Sequence, residues 1–124
     1  MEAHESAEMY LETIYILSQK SDSVRKIDIS KHMGYAKPSV TRGIGLLEER
    51  GLVTVDINGN LHLTENGQKQ AQQIYERHTV LTEFLISIGV DEVTANEDAC
   101  RIEHVISEQS FAALKRHVTE NNEI

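Results

Sequence analysis

Cysteine occurs once in the 124 residues, at Cys100, and proline once, at Pro38. A single thiol cannot close an internal disulfide, which excludes a disulfide-stapled scaffold. No apolar run approaches the ~18 residues at which a stretch reads as a membrane-spanning helix. The opening residues, MEAHESAEMYLE, are acidic and lack the basic-then-apolar order of a secretion leader. The expectation is a chain of the reducing cytoplasm with no membrane partner. Internal repeats and low-complexity linkers are absent. Bases are in short supply too: the net charge is −8, which argues against a protein that coats nucleic acid indiscriminately. Apolar residues make up 40% of the chain, enough for a core, so wholesale disorder is excluded. The length fits one compact domain or two small ones sharing a core.

The few bases are not spread evenly. Residues 24–42 hold Arg25, Lys26, Lys31, Lys37 and Arg42 against one acid, Asp28, whereas residues 67–124 carry five bases and ten acids. A basic patch beside an acidic half suggests two tasks in one chain. Met9, Leu11, Ile14, Tyr15 and Leu17 recur at near-helical spacing and predict a first helix over 6–19. KIDISKHMGY reads as a short second helix with Gly34 as its C-cap. AKPSVTRGIGLLEERG reads as a third, about 38–50, with Pro38 in its first turn, Val40, Ile44 and Leu47 as its buried stripe, and Gly51 closing it. LVTV and LHLT alternate apolar and polar around DINGN, an Asn-Gly turn, and predict a β-hairpin. Thr64 then caps a long helix from Glu65 to about Ile88, ended by Gly89, with Gly67 inside it at some cost. Two more helices are predicted over 91–106 and 108–118. Helix, helix, turn, helix, hairpin is the order of a winged helix-turn-helix. Its second motif helix would enter the major groove, with Lys37, Ser39, Thr41 and Arg42 in or near its first turn suited to phosphate and base-edge contacts.

The acidic half holds EDACRIEHVISE, residues 97–108. On a helix Cys100, Glu103 and His104 lie at i, i+3 and i+4 and share a face. A thiolate, a carboxylate and an imidazole there form half of a divalent-metal site. Read alone, such a trio is more often a buried Cys, an exposed Glu and a satisfied His, since an unpaired Cys often serves as a small core residue. The first helix carries Met9 and Glu12 at i, i+3. The long helix carries His78, with Glu83 a little over one turn on. Only convergence of these segments would make a site.

EMYLETIY (8–15), KPSVTRGIGLLEERGLV (37–53), LHLTENGQKQA (61–71), RHTVLTEFL (77–85), IGVDEV (88–93) and DACRIEHVISE (98–108) together resemble the diphtheria toxin repressor family of metal-dependent transcriptional regulators, over about residues 6–120. The resemblance implies a mainly α fold: an N-terminal winged helix-turn-helix with a β-hairpin wing over 1–66, then a helical metal-binding and dimerisation domain over 67–124. It implies the two-domain form, without an SH3-like third domain. Met9, Cys100, Glu103 and His104 match the primary metal site of the iron branch, His78 a histidine of a second or shared position, and Glu12 a carboxylate ligand of the manganese branch. Thr82 and Asn96 stand where relatives carry ancillary acid or imidazole ligands, and Val105 where the manganese branch has a second histidine. Ala36, Pro38, Ser39, Thr41 and Arg42 fall at or near the DNA-reading turn. With the neighbouring bases Lys26 and Lys37 they are the candidate DNA contacts.

The expected function is a metal-activated repressor of metal-uptake genes that binds a palindromic operator as a homodimer. Phe84, Leu85, Ile88, Phe111 and Leu114 are the candidate dimer surface. Thiolate and thioether donors are softer than manganese prefers, so Fe(II) is the expected metal and Mn(II) the runner-up. Zn, Ni or Co would also bind in a test tube. Two rival readings stand beside this one. One is a winged-helix repressor that senses oxidant or a small molecule without metal. The other is an enzyme using Cys100 and His104 as a thiolate pair, which the lack of a Gly-rich oxyanion turn disfavours.

Overall fold

Six helices and one hairpin follow the sequence periodicity in a computed structural model that describes residues 3–122, with side chains described over 7–120. The chain divides into two units, one up to Gln72 and the other from Gln73.

The first unit opens with α1 (Ala3–Lys20), which buries Ala7, Tyr10, Leu11 and Ile14. α2 (Lys26–Met33) starts where the Asp28 carboxylate accepts the backbone N–H of Arg25 at 2.9 Å, closing the first turn. It stops at Gly34, whose φ of 73° is the left-handed conformation that glycine adopts without strain. α3 (Lys37–Glu49) has no side-chain N-cap; Pro38 in its first turn supplies a preset φ instead. Val40, Ile44 and Leu47 are completely buried, one turn apart, as the stripe predicts.

The strands β1 (Val53–Val55) and β2 (Leu61–Leu63) pair antiparallel, Val53 with Leu63 and Val55 with Leu61. Val53 and Leu61 face the core. The Asp56 side chain gathers the turn, accepting the N–H groups of Asn58 at 2.8 Å and Asn60 at 3.0 Å. The backbone N–H of Leu61 also donates to the Val24 carbonyl at 2.7 Å, which fastens the wing to the segment before α2.

Thr64 caps α4 (Glu65–Ser87): its hydroxyl accepts the Gly67 N–H at 3.0 Å and donates to the Gly51 carbonyl at 2.7 Å. Gly67 is explained by the same junction. A Cβ there would fall 1.9 Å from the Leu52 carbonyl oxygen, so the backbone approach admits glycine alone. The boundary between the two units falls within α4.

The second unit holds the rest of α4, then α5 (Glu92–Ile102), capped by the Asp91 carboxylate accepting from Thr94 N–H at 3.1 Å, and α6 (Glu108–Asn122). α4 ends at Gly89, φ 104°. One boundary differs from the sequence reading: the helix expected over 91–106 stops at Ile102, and Glu103, His104 and Val105 form a turn. Glu103 keeps helical dihedrals, φ −58° and ψ −25°, and its N–H still donates to the Ala99 carbonyl at 2.9 Å, so its i, i+3 relation to Cys100 survives.

Candidate metal centre and DNA-reading face

Within the second unit, α4 and the turn after α5 bring two imidazoles onto one carboxylate. His78 Nδ1 lies 3.0 Å from Glu103 Oε2, and His104 Nε2 lies 3.2 Å from Glu103 Oε1. Glu103 is completely buried and the His104 side chain nearly so. A buried carboxylate persists only with compensating positive charge or hydrogen bonds to both oxygens. Here Oε2 is in hydrogen-bond geometry with His78 Nδ1, while Oε1 and His104 Nε2 stand at ion-pair distance without hydrogen-bond geometry. Two imidazoles and a carboxylate are borderline-to-hard donors that suit first-row divalent transition metals. His78 Nε2 also meets Asn96 Oδ1 at 2.6 Å. An imidazolium satisfies Glu103 and Asn96 together; a neutral ring needs the Asn96 amide turned to donate its NH₂.

Cys100 sits one turn before Glu103 on α5 and is exposed, so it is not a small core residue. Thr82 donates its hydroxyl to the His78 carbonyl at 2.7 Å and is committed to its own helix. Glu83 is exposed. Met9, half-buried, and Glu12, buried, lie on α1 in the first unit, where the Thr13 hydroxyl donates to the Met9 carbonyl at 2.8 Å.

Arg77 is a member of this region that the sequence did not single out. Its Nη1 donates to the carbonyls of Glu103 at 3.2 Å and Ile106 at 3.3 Å, and its guanidinium lies over the Phe111 ring, 5.6 Å from the centroid. It therefore fixes the turn that carries Glu103 and His104, closing carbonyls left open where α5 ends. An arginine beside a histidine carries no such signal in sequence.

The first unit presents the DNA-reading candidates. Ala36, Lys37, Pro38, Thr41 and Arg42 are exposed at the start of α3, with Ser39 and Lys26 half-buried. Arg42 Nη2 reaches Ser39 Oγ at 3.4 Å. A notch of about 470 Å³ lies between these residues and the wing, lined by Arg25, Lys26, Ile27, Lys37, Thr41, Val55 and Gly59. Three bases and no acid line it, a surface suited to a phosphate. Arg25 and Gly59 were not among the sequence candidates. A Cβ at Gly59 would sit 3.0 Å from an Arg25 guanidinium nitrogen, so the side chain lies flat against the wing turn.

The family model of the iron dependent repressor N-terminal DNA binding domain matches residues 2–61, and that of the iron dependent repressor metal binding and dimerisation domain matches residues 64–122. The chain belongs to the iron-dependent repressor family. It is 31% identical over 113 residues to an uncharacterized HTH-type transcriptional regulator of Methanocaldococcus jannaschii, covering 90% of each chain. It is 32% identical over 116 residues to the transcriptional regulator MntR of Escherichia coli O157:H7, covering 92% of this chain and 75% of that one. Its fold matches a solved manganese-dependent transcriptional repressor complex with manganese at a TM-score of 0.84 and 25% identity, covering 91% of this chain. The chain spans about half the length of that solved protein, 52%. Members of the family are metal-dependent DNA-binding transcriptional regulators rather than enzymes, and iron and manganese regulators both occur in it. No helix among the described residues is long and apolar enough to cross a membrane.

Proposed function

We propose that this chain is a cytoplasmic repressor of metal-uptake genes that binds a palindromic operator as a homodimer when loaded with Fe(II), with Mn(II) as the alternative metal. The observation that carries the reading is the buried Glu103 carboxylate held between His78 and His104. In this reading Met9, Glu12, His78, Cys100, Glu103 and His104 hold the metal. When bound, a divalent transition metal supplies the positive charge that the buried carboxylate requires and fixes the donors around it. Glu103 and His104 anchor the site from a turn that Arg77 holds in place. Cys100 and Met9 add soft donors that favour Fe(II) over Mn(II). Met9 and Glu12 lie on the helix that packs on α3, so their engagement bears on the DNA-reading helix. Lys26, Ala36, Lys37, Pro38, Ser39, Thr41 and Arg42 contact DNA, the bases on phosphate and the first turn of α3 in the major groove. Two such helices in a symmetric dimer read half-sites ~34 Å apart or a multiple of it. Phe84, Leu85, Phe111 and Leu114, half-buried, and the exposed Ile88 supply the dimer surface.

The test is DNA affinity measured anaerobically with thiol reductant, in Fe(II), in Mn(II) and in EDTA, on duplexes selected from a random pool by the metal-loaded protein. Metal should tighten binding about 5- to 150-fold, the span of a typical allosteric coupling. Equal affinity in EDTA would sink metal gating and favour a repressor that senses something else. Cys100→Asp should move the preference toward Mn(II). An unmoved preference would remove Cys100 from the ligand set.

A further inference from the structure

Tyr10 stands between Met9 and Glu12 in sequence, yet it faces α3. It is 5% exposed, its hydroxyl donates to the Ser39 carbonyl at 3.2 Å, and its ring lies against Gly43. A Cβ at position 43 would come within 2.3 Å of Cε2 and 2.4 Å of Cδ2 of that ring. No side chain fits there while the ring stays. The ring in turn meets Tyr35 edge-on, centroids 6.1 Å apart and planes at 72°, and the Tyr35 carbonyl accepts the Ser30 hydroxyl at 2.6 Å. One aromatic side chain thus touches the first turn of the DNA-reading helix, its middle and the turn before it. Glycine inside a helix is intrinsically unfavourable, and Gly43 lies well inside α3. The close approach of the Tyr10 ring accounts for it.

We propose that Tyr10, seated on Gly43, is the positioning residue through which α1 sets the first turn of α3, and so couples the metal-bearing turn of α1 to Ser39, Thr41 and Arg42. The coupling half of this inference rests on the reading that Met9 and Glu12 bind metal; the positioning half does not. Any shift of that turn of α1 carries Tyr10 with it. Packed contacts change between discrete arrangements rather than stretching, so the turn at Ser39 follows the ring.

The test is a double-mutant cycle on Tyr10→Ala and Gly43→Ala, with Tyr10→Phe as a milder probe. Three quantities are read: Mn(II) affinity by calorimetry, affinity for the selected duplex with Mn(II) and with EDTA, and amide exchange over residues 39–44 without DNA. Gly43→Ala should weaken DNA binding about tenfold or more through overpacking, with Mn(II) affinity unchanged and exchange over 39–44 faster. In the Tyr10→Ala background the same substitution should add less than about a twofold loss, since nothing is left to clash. Tyr10→Phe should cost roughly threefold, the scale of one hydrogen bond. If Gly43→Ala does not fold, Tyr10→Phe and Tyr10→Ala still decide the matter. Unchanged exchange over 39–44 together with unchanged DNA affinity in those variants would overturn the proposal. Wild-type DNA affinity indifferent to Mn(II) would instead overturn metal gating. In that event the loss of affinity in the variants would still establish positioning.

Discussion

The two units hold themselves together by different means. In the first, Ile14, Ile29, Val40, Ile44 and Leu47 are completely buried and Leu52, Val53 and Leu61 are 5% exposed or less. Its candidate DNA contacts lie outside that core, on the surface. In the second, the large apolar residues buried among those described are Ile74, Leu81 and Val118, beside the small Ala95 and Ala99, while the carboxylate of Glu103 is fully enclosed. Phe84, Leu85, Phe111 and Leu114 are left half-exposed and Ile88 is 61% exposed. The first unit is a conventional apolar core with its candidate DNA contacts on the rim and the Glu12 carboxylate buried on α1. The second unit encloses a carboxylate, Glu103, and leaves apolar surface outside.

The sharpest way to break this contrast is to remove one group from the centre of each unit. Glu103→Ala leaves His78 and His104 without the carboxylate between them. Metal should then no longer alter DNA binding, measured with Mn(II) against EDTA. Leu47→Ala should cost about 2–5 kcal/mol by opening a cavity, with metal affinity unchanged at temperatures where the variant is folded. If Leu47→Ala abolished metal binding and Glu103→Ala spared it, the division of labour drawn here would be reversed.

Arg77 gives a smaller and more selective break. Its charged hydrogen bonds to the carbonyls of Glu103 and Ile106 are worth about 1.5–3 kcal/mol, the range for hydrogen bonds involving a charged group. Arg77→Met keeps much of the stem packing and removes both bonds. Calorimetry should show weaker metal binding, while Arg77→Lys should restore little, because an ammonium lacks the planar guanidinium that lies over Phe111. Metal affinity equal to wild type in Arg77→Met would show that the turn holds its shape without this residue.

These residues also mark how far the chain could be read before folding. Gly34, Pro38, Thr64, Gly89 and the Asn58–Gly59 turn act locally, through a backbone angle or a cap, and each ends or starts the element that its chemistry predicts. The stripe Val40, Ile44, Leu47 was legible because burial follows helical period. From the residues alone His78, Glu103 and His104 were legible as donor types but not as a cluster, since 25 residues separate His78 from Glu103; only the family resemblance grouped them. Arg77 and the Tyr10–Gly43 contact left no trace in sequence. Both depend on what a side chain meets across the fold, and neither residue type is unusual in a helix. Gly67 read as a small cost, whereas it permits a carbonyl to pass where a methyl would collide. The early end of α5 escaped notice because Glu103 keeps helical dihedrals and the apolar spacing runs on through Val105 and Ile106.

The finest test of the contrast lies in the wing, where the first unit has an exposed charge cluster of its own. Asp56 accepts a hydrogen bond from His62 Nε2 at 2.9 Å and from the N–H groups of Asn60 and Asn58. The His62 bond, then the backbone bond of Asn60, lowers its carboxyl from 3.8 to about 2. A depressed folded-state value means that the carboxylate stabilises the turn above 3.8 and that this contribution fades as pH falls toward 2. The group is solvent-exposed, so the effect should be local rather than global. The Asn58 and Asn60 amide shifts should therefore titrate together with a midpoint near 2, without a matching change in the residues around Leu47. Asp56→Asn keeps an acceptor but loses the charge, and should abolish that titration while leaving Val53 paired with Leu63. A titration that moved the Leu47 region as well would mean that the wing and the core unfold as one, and that the first unit has no independently adjustable rim.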